Sequence, residues 1–308
     1  ELVYWNNSPD TLHHVFFHLY QNAYNAGSYA DLKEDGRASK DTVQRGSTLQ
    51  SLQVKGQELR TELDNTVLKA WLPEALPPGG RVTFNFSFRT HWASGIYRRM
   101  KLFNAWGFKH FDGVHWYPRI AVYDRKMGWD TQQHLGSEFH GDFGTYDVTL
   151  QMPSHMIVEA NGWLQNPEEV MPFPLREQLD ITRYKDKPWN EAPTVVTPYV
   201  PGVRKVWKYH AENTHDFAFT ADPTYRIGEA EWHGVKCVAV AQEPHASGWQ
   251  NAADYCAKVI RSHSELVGMY AYPKMVVADA RDGMEYPMLT LDGGRDPDYR
   301  GLFVHEIG

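Results

Sequence analysis

Between residues 47 and 90, apolar and polar residues alternate along the chain in short segments. Alternation with a period of two residues is typical of β-strands that bury one face. Turn signals separate these segments at residues 55–57, 64–65 and 77–80. Short strands at this spacing predict an antiparallel β-sandwich or saddle. The predicted strands are residues 47–54, 58–63, 66–72 and 81–90.

The segment at residues 10–20 fits two patterns, because Val15, Phe17 and Leu19 share a strand face while Leu12 and Val15 also fit a helix face. Its aromatic and β-branched residues favour a strand. Residues 95–130 show no clear period and predict ordered loops over the sheet, and the proline-containing stretch 166–201 predicts an irregular surface insertion. Further predicted strands are 146–152 and 155–161, joined as a hairpin through 153–154, and then 203–211 and 215–221.

After residue 222 the pattern changes from mostly β to α+β. From Ser247, the predicted N-cap, apolar residues recur at helical spacing as far as Val267. Residues 235–241, 274–279 and 288–291 predict strands. A last helix is predicted to start at residues 296–298, where acidic residues and a proline suit a helix N-terminus.

Composition excludes several classes of function. The 308 residues are 42% hydrophobic and 22% charged, with no run near the ~18 apolar residues of a membrane span. A net charge of -7 argues against nucleic acid as the main partner. Two cysteines, Cys237 and Cys256, are too few for a disulfide framework and predict buried free thiols. These features favour a small-molecule, peptide or protein partner, with no transmembrane segment in this chain.

Two short motifs near the end of the chain carry the candidate chemistry. His305-Glu306 lies in a predicted apolar helix, where a buried charged pair needs a purpose such as metal binding. With 15 His and 18 Glu in 308 residues, chance alone supplies about one such pair. Residues 283–287 read Gly-Met-Glu-Tyr-Pro about twenty residues upstream, which by itself also fits an ordinary turn with a solvated Glu285.

Together, the two motifs at this spacing resemble those of the gluzincin zinc aminopeptidases (peptidase family M1, the aminopeptidase N and leukotriene hydrolase type). In that family a strand with Gly-x-Met-Glu-Asn precedes a helix with His-Glu-x-x-His, whereas Tyr286 stands here in place of the asparagine. The resemblance implies that His305 is a zinc ligand, that Glu306 is the catalytic general base, and that Glu285 binds the substrate α-ammonium group. It also implies that the backbone of Gly283 and Met284 pairs with the peptide substrate.

The resemblance further implies a fold and a domain order. Residues 1–222 would be the N-terminal antiparallel, saddle-like β-sandwich domain, and residues 223–308 the first part of a thermolysin-like catalytic domain, broken within the zinc-binding helix. The cofactor would be Zn²⁺, with its remaining ligands and the oxyanion-stabilising tyrosine in a missing C-terminal part of the same protein. A second amine-binding residue has no motif match, although Glu138 is a candidate.

We therefore expect a zinc-dependent metallo-aminopeptidase that acts on peptides with a free N-terminus, and we expect this fragment alone to be inactive. One alternative is a catalytically silent scaffold or binding protein of the same architecture. Another is a carbohydrate-binding β-sandwich that uses the aromatic residues between Trp92 and Trp129. The expected location is periplasmic or secreted, with the cytoplasm as the alternative.

Overall fold

The computed structural model describes residues 1–33, 45–92, 100–136 and 139–308, together with the backbone of residues 95–97. Antiparallel β-structure predominates in the first three quarters of these residues, as the alternating pattern predicts. The strands are β1 (Leu2–Trp5), β2 (Leu12–His18), β3 (Ser47–Val54), β4 (Gln57–Glu58), β5 (Thr61–Asp64), β6 (Val67–Leu76), β7 (Arg81–Thr90), β8 (Gly95–Tyr97), β9 (Met100–Ala105), β10 (Phe108–Gly113), β11 (Arg119–Ile120), β12 (Tyr123–Asp124), β13 (Gly128–Trp129), β14 (Gly144–Pro153), β15 (Ile157–Ala160), β16 (Trp163–Leu164), β17 (Arg204–Thr214), β18 (Phe219–Asp222), β19 (Tyr225–Trp232), β20 (Val235–Gln242), β21 (Lys274–Asp279), β22 (Met284–Tyr286) and β23 (Leu289–Asp292).

Helices are short in most of the chain and longer towards its end. The α-helices are α1 (Tyr29–Lys33), α2 (Pro167–Val170), α3 (Phe173–Leu179), α4 (Ala252–Leu266) and α5 (Arg300–Ile307). Single 3₁₀ turns cover Tyr20–Tyr24, Ile181–Tyr184 and Glu243–Gly248. Among the described residues, none of the helices combines the length and the apolar composition that a membrane crossing needs.

The chain divides into two compact units. The first contains Glu1–Met100 and His115–Asp142, and the second contains Lys101–Val114 and Phe143–Gly308. The sequence predicts two domains, residues 1–222 and 223–308. The division into compact units does not test this boundary, which stays a prediction.

The first unit is a sandwich of two antiparallel sheets with the strand orders β1-β7-β3-β4 and β11-β2-β6-β5. Both sheets bury apolar side chains between them, which removes this surface from water and stabilises the pair. Strand β2 contributes Val15 and Phe17 at 0% exposure, so the strand interpretation of residues 10–20 is confirmed. The buried core contains Val15, Phe17, Leu19, Leu52, Val54, Leu59, Leu68, Ala70 and Phe84.

The second unit contains antiparallel sheets in the orders β15-β18-β10-β9 and β14-β17-β16, and a mixed sheet in the order β19-β20-β21-β23-β22. In the mixed sheet, β20, β21 and β23 are parallel, while β22 is antiparallel to β23 at one edge. Helices α4 and α5 cover one face, where Trp249 and Phe303 are fully buried. Cys237 and Cys256 are buried free thiols in the same core, as predicted.

Several local predictions are wrong. Residues 95–130 contain the strands β9 and β10 rather than loops alone. The predicted hairpin of β14 and β15 does not form, because β14 pairs with β17 and β15 pairs with β18. The segment 58–63 is divided between β4 and β5, which belong to different sheets.

Helix boundaries also differ from the prediction. Helix α4 has Asn251 as its N-cap, because Ser247 lies in a 3₁₀ turn that precedes the helix. Helix α5 begins at Arg300 rather than at residue 296. The insertion at 166–201 contains α2, α3 and a 3₁₀ turn between irregular stretches. A thermolysin-like character for residues 223–308 stays a prediction.

Candidate functional site

The candidate site forms where the mixed sheet of the second unit meets helix α5. Strand β21 ends at Asp279, the chain turns at residues 280–283, and β22 then returns along the edge of the sheet. Glu285 is opposite Thr290 of β23 in this pairing. Because Thr290 is fully buried while the Glu285 side chain is exposed, the edge strand presents Glu285 to solvent.

Helix α5 is fixed through one face. Phe303 is fully buried and stacks on Tyr299, with ring centroids 4.5 Å apart, and it also contacts Trp249 at 5.5 Å. Ile307 is also buried, whereas Leu302 is half-buried. Aromatic side chains of this size bury much apolar area and hold the helix in one orientation.

In this orientation of the helix, Glu306 and His305 differ in their exposure to solvent. Glu306 is buried, with 6% of its surface exposed, and His305 is exposed. The Oε2 atom of Glu306 has no hydrogen-bond partner among the residues that the structure describes.

Gly283 allows the closest approach between the turn and the helix. A Cβ atom at this position would lie 2.6 Å from Oε1 of Glu306 and 3.1 Å from Cδ1 of Leu302. A side chain at this position would therefore have to displace the Glu306 carboxyl group.

The two predicted glutamates influence each other electrostatically. Burial of Glu306, followed by the negative charge of neighbouring Glu285, raises the pKa of the Glu306 carboxyl to about 7, although His305 acts in the opposite direction. A carboxyl group with a pKa near neutrality exchanges protons readily under physiological conditions. The site can therefore supply proton transfer from a glutamate.

A third acidic residue, Asp292, lies at the end of β23. Burial is the main cause that raises its pKa well above the ordinary value, and the charges of Glu306, Asp279 and Asp282 act in the same direction. Thr290 opposes this shift by donating its hydroxyl to Oδ2 of Asp292 at 2.7 Å. The carboxyl ends of the parallel strands β21 and β23 thus bring several carboxyl groups together beside α5.

Sequence reasoning identified Gly283, Glu285, His305 and Glu306, and the structure places the turn, the edge strand and the helix that carry them side by side. Met284 is buried on β22. The roles assigned to these residues stay predictions. Glu138 lies outside the described residues. Asp282 and Asp292 were missed, because an isolated aspartate after a strand has no distinctive sequence signal.

Zinc binding needs more ligands than the described part of the chain brings together. Among these residues, no group of three or more His, Cys, Asp or Glu side chains is placed to hold a metal ion. His305 projects its imidazole from α5 and is chemically suited to be one zinc ligand.

Comparison with solved structures identifies proteins with a similar fold. Over 99% of its length, the chain superposes on an M1 zinc metallopeptidase from Deinococcus radiodurans, with a TM-score of 0.58 and 12% sequence identity. The fold is that of the M1 zinc metallopeptidases. A mutant of the D. radiodurans enzyme matches with a TM-score of 0.58 and 13% identity over 99% of this chain. The chain spans 57–58% of the length of these M1 structures, which is consistent with an N-terminal part.

Two further M1 structures include small ligands. A two-domain M1 zinc metallopeptidase mutant bound to L-arginine matches 99% of this chain and 58% of its own length, with a TM-score of 0.56 and 12% identity. A two-domain mutant bound to L-tryptophan matches with the same TM-score and identity, over 99% of this chain and 59% of its own length. No protein-family model and no curated protein sequence matches this chain.

Proposed function

We propose that this chain is the N-terminal part of a zinc-dependent aminopeptidase, which hydrolyses the first peptide bond of peptides with a free amino terminus. The observation that carries the proposal is the juxtaposition of Glu285 on an edge strand with buried Glu306 on α5, in a chain with the M1 metallopeptidase fold. The rest of the peptidase domain would lie in polypeptide outside this chain.

Glu285 is the group we assign to substrate recognition. Two neighbouring carboxylates repel each other unless one holds a proton or a cation lies beside them, and this repulsion adds to the effect of burial in raising the pKa of Glu306. The α-ammonium group of a peptide is a cation of suitable size. A substrate without a free amine would leave the Glu285 carboxylate without a cationic partner, which favours removal of N-terminal residues over internal cleavage.

Strand β22 is the part of the fold that we assign to backbone recognition. One side of this strand pairs with β23, and the strand ends the order of the mixed sheet. An extended peptide can add to such an edge through backbone hydrogen bonds. The backbone groups of Gly283 and Met284 would then pair with the substrate.

Glu306 is the residue we assign to proton transfer. The Glu306 carboxylate would accept a proton from the attacking water and return it to the leaving amine, and burial, which raises its pKa, makes it a stronger base. Zinc, held by His305 and by ligands outside this chain, would supply a Lewis acid. The M1 structures that match this fold are zinc metallopeptidases, which supports this choice of metal.

The test is an aminopeptidase assay on the full-length protein that contains this chain. We expect hydrolysis of aminoacyl-4-nitroanilides, loss of hydrolysis after chelation, and recovery on addition of Zn²⁺. Glu306→Gln should abolish turnover, and Glu285→Gln should raise KM for free-amine substrates. Glu265→Gln, an exposed change on α4, is the matched control and should leave both constants unchanged. Activity that survives chelation, or equal cleavage of N-acetylated substrates, contradicts the proposal.

A further inference from the structure

A buried lysine in β9 contacts the turn that leads into the candidate site. The Lys101 side chain is fully buried, and its Nζ donates to the carbonyl oxygen of Ala280 at 2.9 Å. The same nitrogen forms an ion pair with Oδ2 of Asp282 at 2.5 Å and lies 3.9 Å from Oδ2 of Asp112. A buried ammonium group is tolerated only with such partners, so its position is closely determined.

The residues that Lys101 contacts lie on both sides of a single position in the turn. Between Ala280 and Asp282, Arg281 has a φ of 55°, a left-handed conformation that is unfavourable for a residue with a side chain. Its guanidinium lies 4.6 Å from the ring centroid of Phe103, which also belongs to β9. Strand β9 thus holds the turn at three successive residues.

From the other side, the turn is bonded to the end of β23. The backbone amides of Ala280 and Asp282 both donate to the carbonyl oxygen of Asp292, at 2.9 Å and 3.3 Å. Gly283 follows at once, and Glu285 is three residues beyond Asp282. A displacement of the turn therefore moves Gly283 and Glu285 relative to Glu306.

We propose that Lys101 is a positioning residue for substrate recognition, which fixes residues 280–282 so that Glu285 is held at the place of the substrate amine. The proposal rests on the proposed function. Lys101 reaches the site only through Asp282 and the carbonyl of Ala280, and it also balances the negative charge of Asp282 beside Glu306. A catalytic carboxylate displaced by about 1 Å loses much of its effect, so a small shift of the turn has a large consequence.

A second buried lysine provides a matched control. Lys274 donates to the carbonyls of Ala160 and Gly162 at 3.2 Å and 3.1 Å, and it pairs with Glu159 at 2.8 Å. Its partners are likewise a carboxylate and backbone carbonyls, but they lie on β15 and the residues after it. Removal of either ammonium group leaves a carboxylate, Asp282 or Glu159, without this cationic partner, and of the two lysines only Lys101 contacts the turn before Gly283.

The experiment compares Lys101→Met with Lys274→Met in the full-length protein, by amide hydrogen exchange and by kinetics. In Lys101→Met, we expect exchange in residues 280–286 to accelerate at least tenfold and KM for free-amine substrates to rise at least tenfold, with a smaller change in kcat. In Lys274→Met, both quantities should stay near the wild-type values. Equal effects of the two variants, or unchanged exchange in Lys101→Met, would overturn the proposal.

Two additions keep the result decisive. If Lys101→Met does not fold, Asp282→Asn removes the ion pair and leaves the Ala280 contact, and it should accelerate exchange in the same segment. Unchanged exchange in that variant would also overturn the proposal. If the wild-type protein has no aminopeptidase activity, the proposed function fails, whereas the exchange comparison still decides whether Lys101 holds the turn.

Discussion

Replacement of Gly283 by alanine is the sharpest test of the candidate site geometry. The added Cβ atom would lie 2.6 Å from Oε1 of Glu306, a separation that real side chains do not adopt. Ordinary contact requires about 3.4 Å, so the Glu306 carboxyl must retreat by roughly 0.8 Å. The backbone of Gly283 does not have a positive φ, so no backbone strain adds to this effect.

The expected effects on stability and activity follow from the displacement of the Glu306 carboxyl group. The nearest atom belongs to the end of a flexible side chain, so we expect the free energy of unfolding to fall by about 1 kcal/mol or less. Displacement of a general base by almost 1 Å should lower kcat/KM on the order of 10- to 100-fold. Gly283→Ala should therefore separate activity from stability.

Urea denaturation and aminoacyl-anilide kinetics on the full-length protein measure the two quantities. Gly301→Ala in α5 is the control, because its Cβ atom would meet nothing within 4 Å and alanine favours a helix by about 1 kcal/mol. An unchanged kcat/KM in Gly283→Ala would refute the reasoning about Glu306. A loss of several kcal/mol in stability would show that the carboxyl group cannot move aside.

Two further predictions concern buried charges of the second unit. Burial lowers the pKa of His110, but Asp112 and Asp222 outweigh this effect and raise it from 6.5 to about 9, so the charged imidazole stabilises the fold by about 3 kcal/mol. This contribution to stability is complete below pH 6.5 and is lost as the pH rises through 9. The urea concentration at the midpoint of unfolding should therefore fall across that interval. A midpoint that rises there would contradict the assignment. Arg226→Met leaves Glu243 without its fully buried partner and should cost about 3 kcal/mol in urea unfolding, whereas a change below 1 kcal/mol would show that Lys187 alone suffices.

The sequence predicts a strand well when one face of the strand is apolar and buried and the other is polar and exposed. Strands β3 and β7 end where alternation predicts, because polar residues mark their solvent face. Strands β9 and β10 were missed because Lys101, His110 and Asp112 are polar and yet buried, which removes the alternation. The pairing of strands is also not determined by neighbouring residues alone. Pro153 is typical of a turn and therefore predicts a hairpin, but the fold does not contain it.

The candidate site shows the same division. Glu285 and Glu306 were found because each belongs to a short motif at a characteristic spacing. Lys101 was not, because its partner Ala280 is 179 positions away and a single lysine in an aromatic segment carries no signal. Charges that act through folding, rather than through a motif, become visible only in three dimensions.

The separation between Lys101 and its turn has a consequence for synthesis on the ribosome. A chain made from its N-terminus contains β9 long before Ala280, since 179 positions separate them. At about 5–20 residues per second, this interval is roughly 10–35 s. Strand β9 therefore has time to pair with β10 while the turn is still untranslated. Residues 280–282 are then synthesised when Lys101 is already part of a folded strand pair.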